Sequence, residues 1–117
     1  MKTAMNKYVD KPWGNEKWIA VNDHYALKII TLNKGARTSL QYHNLKEEHI
    51  YVWSGKLSVE DDDANSNLIT TIYEAGEIMH NPTLAKHRLT ALEDTVFVEV
   101  STPHLDDVVR VEDDYQR

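Results

Sequence analysis

Residues 41–48, QYHNLKEE, bring together three side chains that can bind a metal ion. Gln41 and His43 are two positions apart, and residues two apart in a β-strand lie on the same face, roughly 7 Å from each other. Metal–ligand bonds of about 2 Å then allow both side chains to reach one cation. If the next strand pairs with this one as a hairpin, Glu48 comes level with them. The pattern therefore indicates a metal site with an amide oxygen, an imidazole and a carboxylate.

The fourth ligand is predicted among the other five histidines of the chain. His87 is the best placed, because it begins a predicted strand after the turn residues of GEIMHNPTLAK. A histidine taken alone is more often a hydrogen-bonded residue than a ligand, so the prediction depends on the whole set. The remaining histidines are interpreted as follows: His49 as structural, His80 as a donor to the backbone near a turn, and His24 and His104 as solvated.

Composition limits the functions that the chain can have. Its 117 residues, 41% of them apolar, are enough for one core, so we expect a single domain over 1–117. The absence of Cys excludes disulfides, thiolate metal sites and cysteine nucleophiles. The net charge of -6 disfavours nucleic acid as a partner. The N-terminus lacks the apolar core of a signal peptide, and no run approaches the roughly 18 apolar residues of a membrane span. We therefore expect a soluble, cytoplasmic protein that binds no membrane.

Short alternating or β-branched runs recur along the whole chain, and almost nothing has helical periodicity. Turn residues separate these runs. Two strand pairs of similar layout, around 35–60 and 76–100, follow the two-hairpin plan of a jelly roll. We therefore predict an all-β sandwich or small barrel, with strands at 16–21, 25–32, 49–55, 56–60, 68–73 and 95–100.

The spacing of glycines and ligands resembles the two motifs of the cupin superfamily. The first motif runs glycine, five residues, His, one, His, three or four, Glu, six, glycine, and this chain has Gly35, Gln41, His43, Glu48 and Gly55 there. The second runs glycine, five residues, Pro, one, Gly, two, His, three, Asn, and this chain has Gly76, Pro82, Leu84, His87 and Ala91.

This resemblance implies a double-stranded β-helix, or jelly-roll cupin barrel. Gln replaces the first His of the first motif, and the second motif has lost its Gly and its Asn but keeps its His. The metal ligands implied are Gln41, His43, Glu48 and His87. A cupin that has lost its ion is the alternative.

A closer resemblance, over about residues 11–117, is to the mannose-6-phosphate isomerase domain at the C-terminal end of bifunctional mannose-1-phosphate guanylyltransferases. It rests on SLQYHNLKEEHIYVWSG, on the PWG at 12–14 and on DVVRVEDDYQR at 107–117. It implies interconversion of mannose 6-phosphate and fructose 6-phosphate through a cis-enediolate, with zinc as the first choice of metal and Mn, Fe, Co or Ni as alternatives. It also implies a homodimer paired through an edge strand. Lys46 departs from the usual Arg of these domains, and Gln116 from their terminal glycine.

Lys28 and Glu99 are the candidate catalytic residues. Each shares a strand face with apolar residues, which is unusual for a charge unless it points into a cavity, and a buried Lys must be paired or titrate low. A structural Lys28–Glu99 ion pair is an equal alternative. Arg37 and Arg110 are predicted to bind the substrate's phosphate, since a guanidinium fork fits that group. Arg88 and Arg117 are further phosphate candidates; Trp13, Trp18, Trp53 and Phe97 are interpreted as core or dimer packing.

Two other classes of function stay open on the sequence alone. The first is a cupin of different chemistry, either an epimerase or ketoisomerase acting on a nucleotide-linked sugar or an iron dioxygenase. The second is a non-enzymatic cupin that binds carbohydrate without converting it. The partner expected in the leading interpretation is a small phosphorylated sugar.

Overall fold

A computed structural model describes residues 1–3, 7–63, 65 and 67–115, and all of its regular elements are β-strands. The strands are β1 (Lys7–Lys11), β2 (Gly14–Val21), β3 (Ala26–Leu32), β4 (Leu40–Tyr42), β5 (Glu48–Ser54), β6 (Lys56–Asp62), β7 (Leu68–Glu74), β8 (Ile78–Asn81), β9 (His87–Ala91), β10 (Thr95–Ser101) and β11 (Val109–Glu112). The all-β prediction is therefore confirmed.

The strands form two antiparallel sheets. The six-stranded sheet has the order β1-β2-β3-β10-β5-β8, and the five-stranded sheet has the order β11-β4-β9-β6-β7. Strands β5 and β6 follow each other in the chain but lie in opposite sheets, where they pair with β8 and β9 respectively. This crossing of two consecutive strand pairs is the jelly-roll plan that the sequence predicted.

The interior changes from polar to apolar along the barrel. Strand β5 turns Glu48, Ile50 and Val52 inward, and β9 turns His87, Leu89 and Ala91 inward, all of them buried. The polar member is first in each strand. Because side chains of a strand alternate between faces, this order places a polar site at one end of the barrel and a closed apolar core at the other.

The aromatic residues divide between the core and the surface. Trp13 and Phe97 are buried in the hydrophobic core, as predicted. Trp18 is half-buried, and its ring lies under the ammonium groups of Lys7 and Lys28, 4.0 Å and 4.6 Å from the ring centroid. Trp53 points outward and is 68% exposed, so it is not part of the core.

The connection between β4 and β5 corrects one expectation. These strands do not pair as a hairpin: β4 pairs with β9 and β11, whereas β5 pairs with β8 and β10. The intervening residues 43–47 cross from one sheet to the other. Gln41 lies opposite His87 in one sheet, and Glu48 comes from the facing sheet. The site is therefore closed across the barrel rather than along a hairpin.

None of the residues that the structure describes forms a helix with the length and hydropathy needed to cross a bilayer.

Gly55 of the first motif sits in the tight turn between β5 and β6, with φ of 94°. A Cβ atom there would lie 2.5 Å from the carbonyl oxygen of Asp94 and 2.7 Å from Cα of Thr95. Gly76 has a similar φ of 91°, but a Cβ there meets nothing within 4 Å. The two glycines therefore share the backbone requirement and differ in available space.

We expect Gly55→Ala to lower the free energy of unfolding more than Gly76→Ala does. The Gly76 variant bears only the left-handed backbone strain, about 1–2 kcal/mol, whereas the Gly55 variant adds a clash with main-chain atoms that cannot move aside. Urea unfolding of both variants measures the difference. Equal losses would show that space at Gly55 does not matter.

Candidate metal centre and cavity

Three side chains from separate parts of the chain converge at the polar end of the barrel. His43 follows the last residue of β4, Glu48 begins β5 and His87 begins β9. Glu48 Oε1 lies 3.6 Å from His43 Nε2 and 3.3 Å from His87 Nε2. All three side chains are buried, and their potential ligand atoms lie within 4.8 Å of one another. This spacing fits three ligands around one cation.

The backbone fixes which imidazole nitrogens face this point. His43 Nδ1 lies 2.5 Å from the carbonyl oxygen of Asp107, and His87 Nδ1 lies 3.1 Å from that of Ala85. A carbonyl oxygen can only accept, so each Nδ1 carries the proton and donates. The Nε2 lone pairs are then free to bind a metal, the arrangement that outer hydrogen bonds impose on metal-ligating histidines.

A second observation, at His43 Nε2, supports the fit of a metal ion to these residues. It is a buried ring nitrogen with no hydrogen-bond partner in the part of the chain that the structure describes. An unpartnered polar atom in an interior is costly. A cation placed between His43 and Glu48 would satisfy it.

Gln41 faces the same cavity but already makes a hydrogen bond. Its Oε1 accepts from the hydroxyl of Ser39 at 2.7 Å. An amide oxygen has two lone pairs, so one is left for a cation. Gln41 lies opposite His87 in the β4–β9 pairing, which keeps it beside the other three groups. Its role as fourth ligand stays a prediction.

Glu48 is embedded in a network that keeps it ionised. Asn81 Nδ2 donates to its Oε1 at 3.0 Å, and Lys46 Nζ lies 3.3 Å from its Oε2. Burial alone would raise the pKa of Glu48, but its close contacts with Glu99, His43 and His87, together with the charge of Lys46, hold that pKa well below its usual range.

Glu99 has the opposite tendency. Burial raises its pKa well above the usual range, and the neighbouring charge and hydrogen bond of Glu48 raise it further. Lys46 Nζ lies 3.6 Å from Glu99 Oε2 and opposes this shift only in part. The surroundings therefore move the two pKa values apart, so that Glu99 binds a proton in preference to Glu48. The cavity thus holds a metal ligand that favours its ionised form beside a carboxyl group that favours its protonated form.

Lys46 and Asn81 were not among the candidate site residues of the sequence. Lys46 lies in the 43–47 connection, where strand alternation does not apply, yet its side chain is turned inward and is 7% exposed. Its position is also the one where the resembling isomerase domains carry Arg. Asn81 is aligned with Glu48 in the β5–β8 pairing, which no local pattern in the sequence indicates.

The alternative interpretation, a structural ion pair between Lys28 and Glu99, is wrong, because each of the two residues pairs with a different group. The two residues are aligned in the β3–β10 pairing, but Lys28 Nζ makes its salt bridge with Glu16 Oε1 at 3.3 Å, and Glu99 makes its own with Lys46. Glu16 also accepts from Trp18 Nε1 at 3.0 Å. Lys28 and Glu99 both line the cavity.

The two arginines predicted to bind phosphate lie in different places. Arg110 lines the cavity from β11, opposite Gln41, with its Nε 3.9 Å from Asp113 Oδ2. Arg37 does not line it; its guanidinium donates to both carboxylate oxygens of Asp114, at 2.5 Å and 2.7 Å.

The two remaining arginine candidates for phosphate binding are Arg88 and Arg117. Arg88 is buried and donates to the carbonyl oxygens of Thr38 and Glu112, a structural role. Arg117 and Gln116 lie outside the described residues.

The histidines outside the centre lie on the surface. His49 stacks on His80, with ring centroids 4.4 Å apart. The hydrogen bond shown for His80 is to the carboxylate of Glu47, at 3.0 Å, rather than to the backbone. His24 and His104 are exposed, and His104 Nδ1 lies 2.9 Å from the hydroxyl of Thr102.

The cavity around the centre has a volume of about 200 Å³. Pockets for drug-sized ligands are larger, roughly 300–1,000 Å³, so this one suits a small molecule. Four cationic side chains and four carboxyl groups line it, so a divalent metal would make its walls positive on balance, and the raised pKa of Glu99 acts in the same direction. The cations are Lys11, Lys28, Lys46 and Arg110; the carboxyl groups are those of Glu16, Glu48, Glu99 and Asp106. Once a metal is bound, the cavity therefore favours an anionic ligand.

Comparison with known proteins gives a family and several relatives. The family model described as "Mannose-6-phosphate isomerase C-terminal" matches residues 1–113. Alginate biosynthesis protein AlgA of Pseudomonas aeruginosa is 32% identical over 117 residues, which cover 93% of this chain and 23% of that protein. Mannose-1-phosphate guanylyltransferase of Escherichia coli is 30% identical, over 97% of this chain and 24% of that protein. The chain thus spans about a quarter of the length of the curated relatives it matches.

Solved structures show the same fold. KdgF from Halomonas has a TM-score of 0.75 at 20% identity and covers 86% of this chain and 90% of its own. Oxalate decarboxylase from Bacillus subtilis has a TM-score of 0.80 at 18% identity and covers 91% of this chain and 30% of its own. At these identities the likeness shows the fold alone, and it confirms the jelly-roll cupin barrel.

We expect His43→Ala and His87→Ala each to abolish stoichiometric zinc binding. Each removes one of the two imidazole nitrogens of the set, and imidazole nitrogen is a principal zinc ligand in proteins. Elemental analysis after dialysis against zinc should give about one ion per chain for the unchanged protein. His80→Ala, which removes an exposed histidine outside the cavity, is the matched control. Retention of a full equivalent of zinc by either cavity variant would rule out this ligand set.

Proposed function

The chain belongs to the mannose-6-phosphate isomerase C-terminal family, and we propose that it is a metal-dependent sugar-phosphate isomerase. The proposed reaction interconverts mannose 6-phosphate and fructose 6-phosphate. The observation that supports it most directly is the set of His43, Glu48 and His87 beside the carboxyl group of Glu99, whose pKa is raised, in a small cavity that favours anions once a metal is bound.

Four residues are proposed to hold the metal: His43, Glu48 and His87, with Gln41 as the fourth. When bound, a divalent cation supplies Lewis-acid stabilisation of the charge that develops on the sugar's oxygens. Two imidazoles, an amide and one carboxylate leave the site with a net charge near +1. Zinc is the proposed ion, because nitrogen and oxygen ligands in this number suit it.

Glu99 is proposed to transfer the proton between adjacent carbons of the sugar. Isomerisation of an aldose to a ketose removes a proton next to the carbonyl group and returns a proton to the neighbouring carbon. The acid–base group must therefore be inside the cavity and able to exist in both protonation states. Glu99 meets both conditions, since its pKa is raised toward neutral pH and Lys46 stabilises its ionised form.

Lys28 is proposed to act as a fixed positive charge rather than as a base. Its ammonium group forms a salt bridge with Glu16 and lies over the Trp18 ring. An ammonium group in the cavity wall would stabilise negative charge on the substrate.

Arg110 is proposed to bind the phosphate. It belongs to β11, and its side chain is one-third exposed, so it can reach a group at the cavity mouth. Lys11 also lines the cavity and adds a second cation for this group. Arg37, which the sequence also suggested, is occupied by Asp114 outside the cavity.

The competing functions differ in what they would show. An epimerase acting on a nucleotide-linked sugar would need a longer cleft than a cavity of about 200 Å³ provides. A carbohydrate-binding protein without activity is compatible with the same cavity. Only an assay for conversion of the sugar distinguishes such a protein from an isomerase.

The test is conversion of mannose 6-phosphate by zinc-loaded protein in D₂O, followed by proton NMR. We expect fructose 6-phosphate to appear, and we expect deuterium from the solvent to be incorporated at the carbons between which the proton is transferred.

Glu99→Gln should lower kcat by about 100-fold or more, because it removes the acid–base group. Arg110→Gln should raise KM by about 10- to 100-fold through loss of a charged hydrogen bond.

The matched control for Arg110→Gln is Arg37→Gln, which removes a guanidinium outside the cavity. We expect its KM to stay near that of the unchanged protein. Binding of mannose 6-phosphate with no turnover would instead favour the non-enzymatic alternative.

We further propose that the chain pairs with a second copy through β7. This strand ends its sheet, so one of its edges has no strand partner among the described residues. Residues 68–73 carry no charge, and Leu68, Ile69 and Ile72 are 43%, 47% and 44% exposed. An uncharged apolar edge strand tends to pair with another strand. Two antiparallel copies related by a two-fold axis would place apolar and Thr side chains opposite each other with no like charges.

We expect Ile72→Lys to shift the protein from dimer to monomer, because the new charge would lie in the paired edge. Size-exclusion chromatography with light scattering measures the mass. Leu92→Lys is the control, since Leu92 is similarly exposed, at 41%, but lies between β9 and β10. A monomeric unchanged protein, or an Ile72 variant that remains dimeric, would exclude this interface.

A further inference from the structure

The chain after β10 forms one wall of the cavity. Residues 102–108 cross the polar end of the barrel and lead into β11, and we call residues 102–115 the C-terminal segment. Leu105, Asp106, Val108 and Arg110 of this segment line the cavity. Beyond the cavity it is anchored by salt bridges of Arg88 with Glu112 and of Arg37 with Asp114.

Asp107 of the C-terminal segment contacts the 43–47 connection through two different groups. Its carboxylate accepts the backbone N–H groups of Asn44, Leu45 and Lys46, at 3.0, 2.6 and 2.9 Å. Its own carbonyl oxygen accepts from His43 Nδ1. One residue therefore fixes both the orientation of a proposed metal ligand and the backbone that carries Lys46 to Glu48 and Glu99.

The carbonyl of Asp107 is the partner that fixes the proton on His43 Nδ1 and so leaves Nε2 for the metal. Its carboxylate binds three successive amides, an arrangement that holds an anion firmly. Because the carboxylate and the carbonyl belong to the same residue, we expect release of the carboxylate to loosen the carbonyl that orients His43.

We propose that Asp107 is a positioning residue that couples docking of the C-terminal segment to metal affinity. The inference rests on the metal centre of the proposed function and is independent of the sugar. An ion bound by His43 requires the ring orientation that docked Asp107 imposes. Since coupling between two equilibria is reciprocal, the metal stabilises the docked segment by the same factor by which docking raises metal affinity.

The first arm of the test measures zinc affinity by competition with a chromophoric chelator. Asp107→Ala keeps the carbonyl bound to His43 but removes the carboxylate that docks the segment carrying it. We expect this variant to bind zinc about 10- to 100-fold more weakly, the loss typical when the groups that orient a metal ligand are disturbed. Asp107→Asn, which keeps the shape but loses the charge, should fall between this variant and the unchanged protein. Asp23→Asn removes a carboxylate from the exposed turn between β2 and β3 and is the matched control.

The second arm uses the unchanged protein, so it does not depend on a variant that folds. Amide hydrogen exchange is measured with and without zinc. We expect zinc to slow exchange of residues 44–46 and 107–112 together. Slowing confined to 44–46, or an Asp107→Ala variant that binds zinc as tightly as Asp23→Asn, would overturn the coupling. Coupled protection without sugar turnover would support this inference and count only against the isomerase assignment.

Discussion

The buried carboxylate of Glu48 is the group on which the site depends. A charge 3% exposed inside a barrel is tolerated only if surrounding groups compensate for its lost hydration. The ammonium of Lys46 and the amide of Asn81 supply part of that compensation, and a cation bound between Glu48 and the two imidazoles would supply the rest. The same groups orient both carboxylate oxygens. The requirement for compensation and the arrangement for cation binding are therefore one structural feature.

The jelly roll makes this arrangement possible because it brings residues distant in the chain to one end of one interior. His87 comes from the five-stranded sheet, Glu48 from the six-stranded sheet, and His43 from the connection between them. Beneath these ligands lie Ile50 and Leu89 and then Val52 and Ala91. The apolar layers hold the strand spacing fixed, so the ligand geometry is set by the packing of the core as much as by the ligands themselves.

The sequence predicts what depends on alternation and spacing, and fails where the outcome depends on which strands meet. Alternation correctly turned Lys28 and Glu99 inward. Their partners were not predictable, since Glu16 and Lys46 reach them from other strands or connections. The β4–β5 hairpin was wrong because five residues suffice to cross between sheets as well as to turn within one. The role of Asp107 depends on a loop contact across 61 to 64 positions, which no local pattern encodes.

Leu84 shows how the centre tolerates a lost motif glycine. It occupies the glycine position of the second cupin motif and retains a left-handed backbone, with φ of 69°. That conformation costs a non-glycine residue about 1–2 kcal/mol, and strain of this kind persists only where neighbouring structure enforces it. Here the N–H of Leu84 donates to the carbonyl oxygen of His43 at 2.7 Å. Because the side chain of Leu84 is largely exposed, the larger residue meets no steric barrier. The turn that delivers His87 is thus tied directly to the backbone of the other histidine, and the ligand geometry survives the substitution at the cost of local strain.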